Sequence, residues 1–522
     1  MDFTPFARHH FLSRLPQQVR YIDHADAVQQ GELVWLVEKA ALTKVGRRHD
    51  FSTVRTYREF AARVPLCRYE DIRTQVMRMI NGERDVLWPG RTMNFAQSSG
   101  TTGGKSKYIP VTTDSLRRNH YQGASDVMSH YMNLNPATRI FSGKGLILGG
   151  SFATELQLPR GVRVGDLSAT LIEYMNPMAN LFRIPSKRVA LLADWSKKLP
   201  MLVEGCMDAN VTNLSGVPSW FLTLIKAVLR RKGAACLHEV WPNLEVFFHG
   251  GIDFGAYRSQ YESLCDMSRM HFLDTYNASE GFFAVQSDWG SEAMLLLLDA
   301  GVFYEFIPLA EVESEQPRTL PVWEVEAGQT YELVITACNG LWRYRLGDTV
   351  TVEQTHPVKI RIAGRTASYS NAFGEDLMVH NADHAITLAA QETQAQVRDY
   401  TAAPVYATTT TRGRHQWLVE FDVPPADLQT FITAVDRHLK EVNSDYEAKR
   451  QGGLFLDPPT IVAVARGTFE RWLASTGRLG GQRKVPRLCN DRHIADAVLQ
   501  LHRSIGENTI GCPTPPKPSP EK

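Results

Sequence analysis

The stretch from Asn94 to Thr113, NFAQSSGTTGGKSKYIPVTT, concentrates residue types that hold an anion. Ser98, Ser99, Thr101 and Thr102 offer hydroxyls, and Lys105 and Lys107 bring two ammonium groups. Gly100, Gly103 and Gly104 let the backbone turn and a ligand come close. A polyphosphate matches this inventory. Ser/Thr/Gly clusters are ordinarily surface loops, and the two lysines inside this run argue against that. The hydrolase P-loop, G-x-x-x-x-G-K-[ST], does not fit, because the spacing from Gly100 to Gly104-Lys105-Ser106 is one residue short. That loop also follows a buried apolar strand, and Met93-Asn94-Phe95-Ala96-Gln97 is a poor candidate for one.

The run resembles the phosphate loop of adenylate-forming enzymes, S-G-T-T-G followed by a lysine. Its two leading serines and its Tyr-Ile-Pro-Val-Thr tail resemble the acyl-acid amido synthetases, the family of the plant auxin- and jasmonate-conjugating enzymes. Other stretches resemble that family in the same order along the chain. They are His249-Gly250-Gly251, Tyr276-Asn277-Ala278-Ser279-Glu280, Tyr344-Arg345-Leu346-Gly347-Asp348 and Gln482-Arg483-Lys484-Val485-Pro486-Arg487.

The resemblance implies roles for these residues. Ser98, Ser99, Gly100, Thr101 and Thr102 would hold ATP phosphates, and Lys105, Lys107 and Lys484 would neutralise charge during catalysis. Gly250 and Gly251 would let adenine lie against the backbone, though a strand-to-helix turn needs glycine there too. Tyr276 would stack on adenine, and Asn277, Ala278 and Ser279 beside it would also bind the nucleotide. Glu280 would hold Mg²⁺, a hard ion that takes oxygen ligands. Asp348 would accept hydrogen bonds from both ribose hydroxyls; a turn aspartate after Gly347 is the plain alternative. Arg365 is expected to touch the phosphate when the domains close, and Val217 and Pro218 to line the acyl pocket. The plant enzymes carry a lysine where this chain reads Asn371-Ala372-Phe373-Gly374-Glu375-Asp376.

The implied fold is α/β, with a large N-terminal adenylate-forming domain of mixed β-sheets flanked by helices, residues 1–368. A small mobile α+β lid, 369–510, and a disordered tail, 511–522, would follow. The implied activity is an ATP-dependent, AMP-forming ligase that activates a carboxylic acid as acyl-adenylate and joins it to an amine, an amino acid foremost. An acyl-CoA synthetase and a catalytically silent nucleotide-binding protein are the alternatives.

Composition agrees with a globular enzyme. The chain has 522 residues, enough for two domains, with 43% hydrophobic and 22% charged residues. With 57 basic and 56 acidic residues, no nucleic-acid partner is expected. Seven scattered cysteines without a C-x-x-C pair read as reduced thiols, and 16 histidines show no metal-ligand spacing. No apolar N-terminal segment or membrane-length run occurs, so a cytoplasmic protein without a membrane partner is expected.

The elements that must position these residues follow from periodicity. Residues 1–90 read as helical, with Leu33, Leu36, Val37, Ala40 and Ala41 forming one stripe and a helix over 69–80 stopped by Asn81-Gly82. Thr113-Asp114 is expected to cap a helix over 115–131, and Gly216-Val217-Pro218 to open another reaching about 231. Strands are expected within 143–150, 210–214, 244–248, 271–276, 293–307, 330–337 and 360–365. Beyond 370, helices over 383–394 and 426–443 alternate with strands over 397–410, 416–421 and 460–465.

Overall fold

Helices run from Thr4 to Ile80, each fixed by its own pattern. The one at Tyr69–Ile80 carries Glu70 and Asp71 in its first turn and Arg78 in its last, complementing the helix dipole, and ends at Asn81 before Gly82 at φ +93°. Ala25–Ala40 buries Leu33, Leu36, Val37 and Ala40, while Ala41 stands half-buried past its end.

The computed structural model describes residues 2–98, 107–152, 154, 156–251, 254–365, 369–375, 377–408, 411–475 and 485–509. The chain divides into two compact units, Met1–Ala367 and Ser368–Lys522. No described helix is long and apolar enough to cross a membrane.

In the first unit, twelve of the described strands form one sheet. One half is parallel, in the order Arg183–Ile184, Lys144–Ile147, Val211–Gly216, Val246–Gly250, His271–Ala278. Its strands are joined by helices such as Pro218–Lys232, which buries Phe221, Leu222, Leu224, Ile225 and Val228. From His271–Ala278 the sheet turns antiparallel through Gly281–Gln286, Met294–Leu296, Val358–Arg365, Leu341–Thr355, Thr330–Ala337, Val302–Pro308 and Leu320–Pro321.

Two expectations need correction, and one alternative falls away. His271–Ala278 runs two residues past Tyr276, so Ser279-Glu280 is the tip of a two-residue hairpin rather than a loop after a shorter strand. Asp348 lies inside the fifteen-residue strand Leu341–Thr355 and is not a turn residue; Gly347, at φ +84°, bends the strand without ending it. The helix after the glycine-rich stretch is capped by Thr112, not by Thr113-Asp114. Thr112 Oγ1 accepts from the Ser115 N–H (3.0 Å), and Ser115 Oγ accepts from the Thr112 N–H (2.9 Å). Asp114 instead accepts from the Trp88 indole N–H at 3.0 Å. The turn Ser115–His120 is a π-helix that leads into Tyr121–Leu134.

A buried ion pair fixes the antiparallel half. A register shift opposite Ile335 and Ala337 puts Arg343 at φ +45° and turns its guanidinium inward. It donates to Glu305 (2.8 Å), to the carbonyls of Ala61 and Val64 (3.0 and 2.8 Å) and to Thr319 Oγ1 (2.8 Å). The Glu305 side chain has no exposure at all. Two residues on, Arg345 pairs with buried Glu332.

The second unit pairs Gln396–Val405 antiparallel and Thr460–Val464 parallel with Arg414–Val423. Helices Val379–Glu392 and Leu428–Val442 accompany the sheet. Two further helices, Thr468–Ser475 and His493–Thr509, escape the sequence pattern and contribute Phe469, Trp472, Ala495 and Val498 to one core cluster.

Removing one member of a fully buried pair strands the other charge, at a cost of about 3–5 kcal/mol. Glu305→Ala is expected to lose stability on that scale in urea denaturation. A loss below about 1 kcal/mol would contradict the assigned role.

Candidate active site

The parallel strands Val211–Gly216, Val246–Gly250 and His271–Ala278 are neighbours in register, with Gly216 opposite His249 and Gly250 opposite Thr275. Their carboxyl ends therefore bring Val217, Pro218, Gly250, Gly251, Asn277, Ala278 and the Ser279-Glu280 turn to one edge of the sheet. In open α/β sheets that edge is where ligands bind.

The two glycines are required for different reasons. A Cβ at Gly250 would stand 2.4 Å from the Thr275 carbonyl oxygen, so the close packing of the strands demands glycine there. Gly251 is exposed at φ +83°, a conformation that favours glycine, and a Cβ on it would lie 3.5 Å from Val217. Val217 precedes the helix and Pro218 is its first residue. The Tyr261 hydroxyl donates to the Pro218 carbonyl at 2.7 Å and pins that helix start.

Tyr276 and Asp348, read from the sequence as separate adenine and ribose contacts, form one unit. The Tyr276 hydroxyl donates to Asp348 Oδ2 at 2.6 Å, with the two residues 4% and 6% exposed. Asp348 is also the cross-strand partner of Arg365. Asn277 is exposed, and Ala278, Ser279 and Glu280 are half-buried.

Ser98 and Lys107 are cross-strand partners, the last and first residues of antiparallel Asn94–Ser98 and Lys107–Val111. Asn94–Ser98 is thus a strand after all, with Phe95 and Ala96 fully buried despite the flanking Asn94 and Gln97. The P-loop stays excluded for a better reason: the glycine-rich stretch leads into a second strand, whereas a P-loop leads into a helix. Lys107 is buried at the base of this hairpin. Phe95, Ile109 and Tyr276 share one core cluster, so the hairpin and the adenine candidate rest on common packing. Ser99, Gly100, Thr101, Thr102, Lys105 and Lys484 lie outside the described residues, as do the side chains of Ser98 and Arg365.

One titratable residue at this edge escaped the sequence reading. Lys198, on the helix Trp195–Cys206, is fully buried and donates to the Gly149 carbonyl at 2.5 Å, just past the carboxyl end of Lys144–Ile147. Its ammonium lies 4.7 Å from the Trp195 ring centre, and Trp195 packs on Trp220 with ring centres 4.3 Å apart. The next residues are laced down as well. Gly150 N–H donates to Ser168 Oγ (2.9 Å) and Ser151 N–H to Asp166 Oδ2 (2.6 Å). Burial pushes the Lys198 amine down to about 8, with the Asp166 charge pulling it back up.

Residues 14–270 match the GH3 family N-terminal domain, 295–365 the GH3 family central domain and 380–493 the GH3 family C-terminal domain. The chain belongs to the GH3 family. A probable indole-3-acetic acid-amido synthetase, GH3.1 of Arabidopsis thaliana, is 24% identical across 91% of each chain. The indole-3-acetic acid-amido synthetase GH3.4 of the same plant is 22% identical across 95% of this chain and 94% of its own. Among solved structures, the AtGH3.15 acyl acid amido synthetase in complex with 2,4-DB superposes with a TM-score of 0.61 at 18% identity, covering 94% of this chain and 96% of that one. A 2-hydroxyisobutyryl-CoA ligase in complex with 2-HIB-AMP and CoA gives 0.57 at 16% identity, covering 93% and 94%. This GH3 chain thus has the fold of both an amide-forming and a thioester-forming ligase.

Lys198 gives the GH3 fold a defined pH response. An unfolded lysine keeps its proton to about 10.4, whereas folded Lys198 releases it near 8. Between those values the unfolded chain binds more protons, so this residue makes stability rise with pH across that window. Wild type is expected to gain stability relative to Lys198→Met between pH 8 and about 10 in denaturant titrations. Parallel pH profiles would contradict the assignment.

Proposed function

We propose that this chain is an ATP-dependent acyl-acid amido synthetase. A carboxylate oxygen of the acid attacks the α-phosphorus of ATP and pyrophosphate leaves. The nitrogen of an amine, an amino acid foremost, then attacks the acyl carbon, loses its proton, and AMP departs. The observation that carries the reading is the buried Tyr276–Asp348 hydrogen bond, in a chain whose glycine turn at Gly250-Gly251 ends a neighbouring parallel strand. In this reading Asp348 accepts from vicinal hydroxyls of the ribose, and the Tyr276 ring and the bare backbone at Gly250-Gly251 border the purine. The GH3 membership and the names of the amido-synthetase relatives support the same chemistry.

In this reading Ser98, Ser99, Gly100, Thr101 and Thr102 cradle phosphates, while Lys105, Lys107 and Lys484 offset the charge that builds at the α-phosphate. Asn277, Ala278 and Ser279 flank the nucleotide, Arg365 contacts its phosphate, and Val217 and Pro218 bound the acyl group. The unit that starts at Ser368 is the lid carrying Lys484. Glu280 fits a divalent cation, because it sets a half-buried carboxylate, a hard oxygen ligand, at the tip of a fixed turn. When bound, Mg²⁺ would offset negative charge on the ATP phosphates.

The acceptor class is tested by measuring AMP release from a panel of carboxylic acids with either amino acids or CoA, with products identified by mass spectrometry. Amide formation with amino acids is expected. A thioester with CoA and no amide would overturn the acceptor and leave the adenylate step standing. Asp348→Ala removes two charge-assisted hydrogen bonds to ribose, each worth roughly 1.5–3 kcal/mol. ATP affinity by titration calorimetry is expected to fall tenfold or more. Unchanged ATP affinity in the folded variant would refute the ribose role.

A further inference from the structure

Two asparagines that no motif singles out bond the backbone from Glu280 to Phe282, where the Ser279-Glu280 turn enters its second strand. Asn339, 1% exposed, lies in the turn between Thr330–Ala337 and Leu341–Thr355, and its Nδ2 donates to the Glu280 carbonyl at 2.9 Å. Its Oδ1 accepts from the Leu341 N–H at 3.3 Å, so both ends of the amide are committed and its orientation is set. The asparagine's own turn is held in turn. Gly340 sits at φ +94°, a Cβ on it would meet Leu87 at 2.8 Å, and the Trp342 indole donates to the Leu87 carbonyl at 3.1 Å.

Asn119, 2% exposed, holds the strand two residues on, at Phe282, from the π-helical turn Ser115–His120. Its Oδ1 accepts from the Phe282 N–H (2.7 Å), and its Nδ2 donates to the carbonyls of Phe282 and Ala300 (2.9 Å each). The neighbouring strand Met294–Leu296 has its last pair at Leu296 and Ala284, so ladder partners on that side end before Phe282. Asn119 supplies what the ladder stops supplying. The Phe282 ring also fills the space over Gly123, where a Cβ would stand 2.4 Å from it.

Three backbone groups across Glu280 to Phe282 are thus bonded to side-chain amides from two other elements. A two-residue hairpin tip is ordinarily the freest part of its strands, and this one is tied down at Glu280 and again two residues on at Phe282, while Glu280 stays half-buried. We propose that Asn339 and Asn119 are positioning residues that hold Glu280 in place to meet a divalent cation on the phosphates of a bound nucleotide. A ligand fixed beforehand has less freedom to lose on binding. The inference depends on the reading of Glu280 as a cation ligand.

The test is Mn²⁺ binding to the protein with a non-hydrolysable ATP analogue, followed by the electron paramagnetic resonance signal of free Mn²⁺. Nucleotide affinity in EDTA is measured alongside. Glu280→Gln is expected to weaken Mn²⁺ binding tenfold or more. Asn339→Ser and Asn119→Ser are each expected to weaken it about three- to tenfold, the scale of one lost hydrogen bond, with nucleotide affinity in EDTA within about twofold of wild type. If a serine variant fails to fold, Asn339→Leu carries the comparison, because it keeps the size of the side chain and removes the amide without adding a charge. Wild-type Mn²⁺ affinity in the asparagine variants, with Glu280→Gln weakened, would overturn the clamp alone. Wild-type affinity in Glu280→Gln would overturn the cation reading and the clamp with it.

Discussion

The hydrogen bond from Tyr276 to Asp348 joins two strands that are not neighbours. Three others, Gly281–Gln286, Met294–Leu296 and Val358–Arg365, lie between His271–Ala278 and Leu341–Thr355 in the sheet. Four inter-strand steps of about 4.8 Å would hold the two backbones roughly 19 Å apart in a flat sheet. A contact of 2.6 Å between the side-chain ends therefore requires the sheet to curl over on itself. The parallel half supplies the glycine turns and the aromatic ring, the antiparallel half supplies the carboxylate, and curling brings them together. Strand twist gives the direction of that curl, and its extent depends on where each strand bends.

The bends are held by polar groups that the core cannot leave unpaired. Gly347 bends the strand of Asp348 one residue before it. The bulge at Arg343 is locked by Glu305, and Arg345 by Glu332, so the strand that delivers Asp348 is fastened twice within five residues of it. Such pairs add little net stability over well-packed apolar residues, but they penalise any register that leaves a charge alone. The strand's register, and with it the position of Asp348, is therefore specified by charge as well as by packing. The same economy recurs at Lys198, Asn119 and Asn339, buried polar side chains that each answer a backbone group the regular ladder leaves over.

Local pattern made much of this legible. The helix Tyr69–Ile80 and the strand Thr330–Ala337 have the bounds their periodicity predicts, and Pro218 opens its helix as expected. The misread elements are those whose cause lies far along the chain. Asn94–Ser98 looks too polar for a strand until Lys107–Val111 and Arg163–Gly165 pair with it. Leu341–Thr355 passes through Gly347 because strands on both sides continue. Thr112, Thr113 and Asp114 are equally good caps by type, and only the bonds of Thr112 with Ser115 and of Asp114 with buried Trp88 separate them. Asn339 acts on Glu280 from 59 residues away and Asn119 on Phe282 from 163, distances at which spacing carries no signal. The residues named by resemblance were those with recognisable neighbours; those that hold them have none.

In the proposed reaction the acid is activated by attack of its own carboxylate oxygen on the α-phosphorus of ATP. The most direct measurement uses an accepted acid labelled with ¹⁸O in both carboxylate oxygens, together with ATP and an amine, and locates the label by mass spectrometry. Activation through an acyl-adenylate transfers one labelled oxygen to the phosphate of AMP and leaves the other in the amide. Label in orthophosphate, or AMP without label while the amide forms, would rule out an acyl-adenylate.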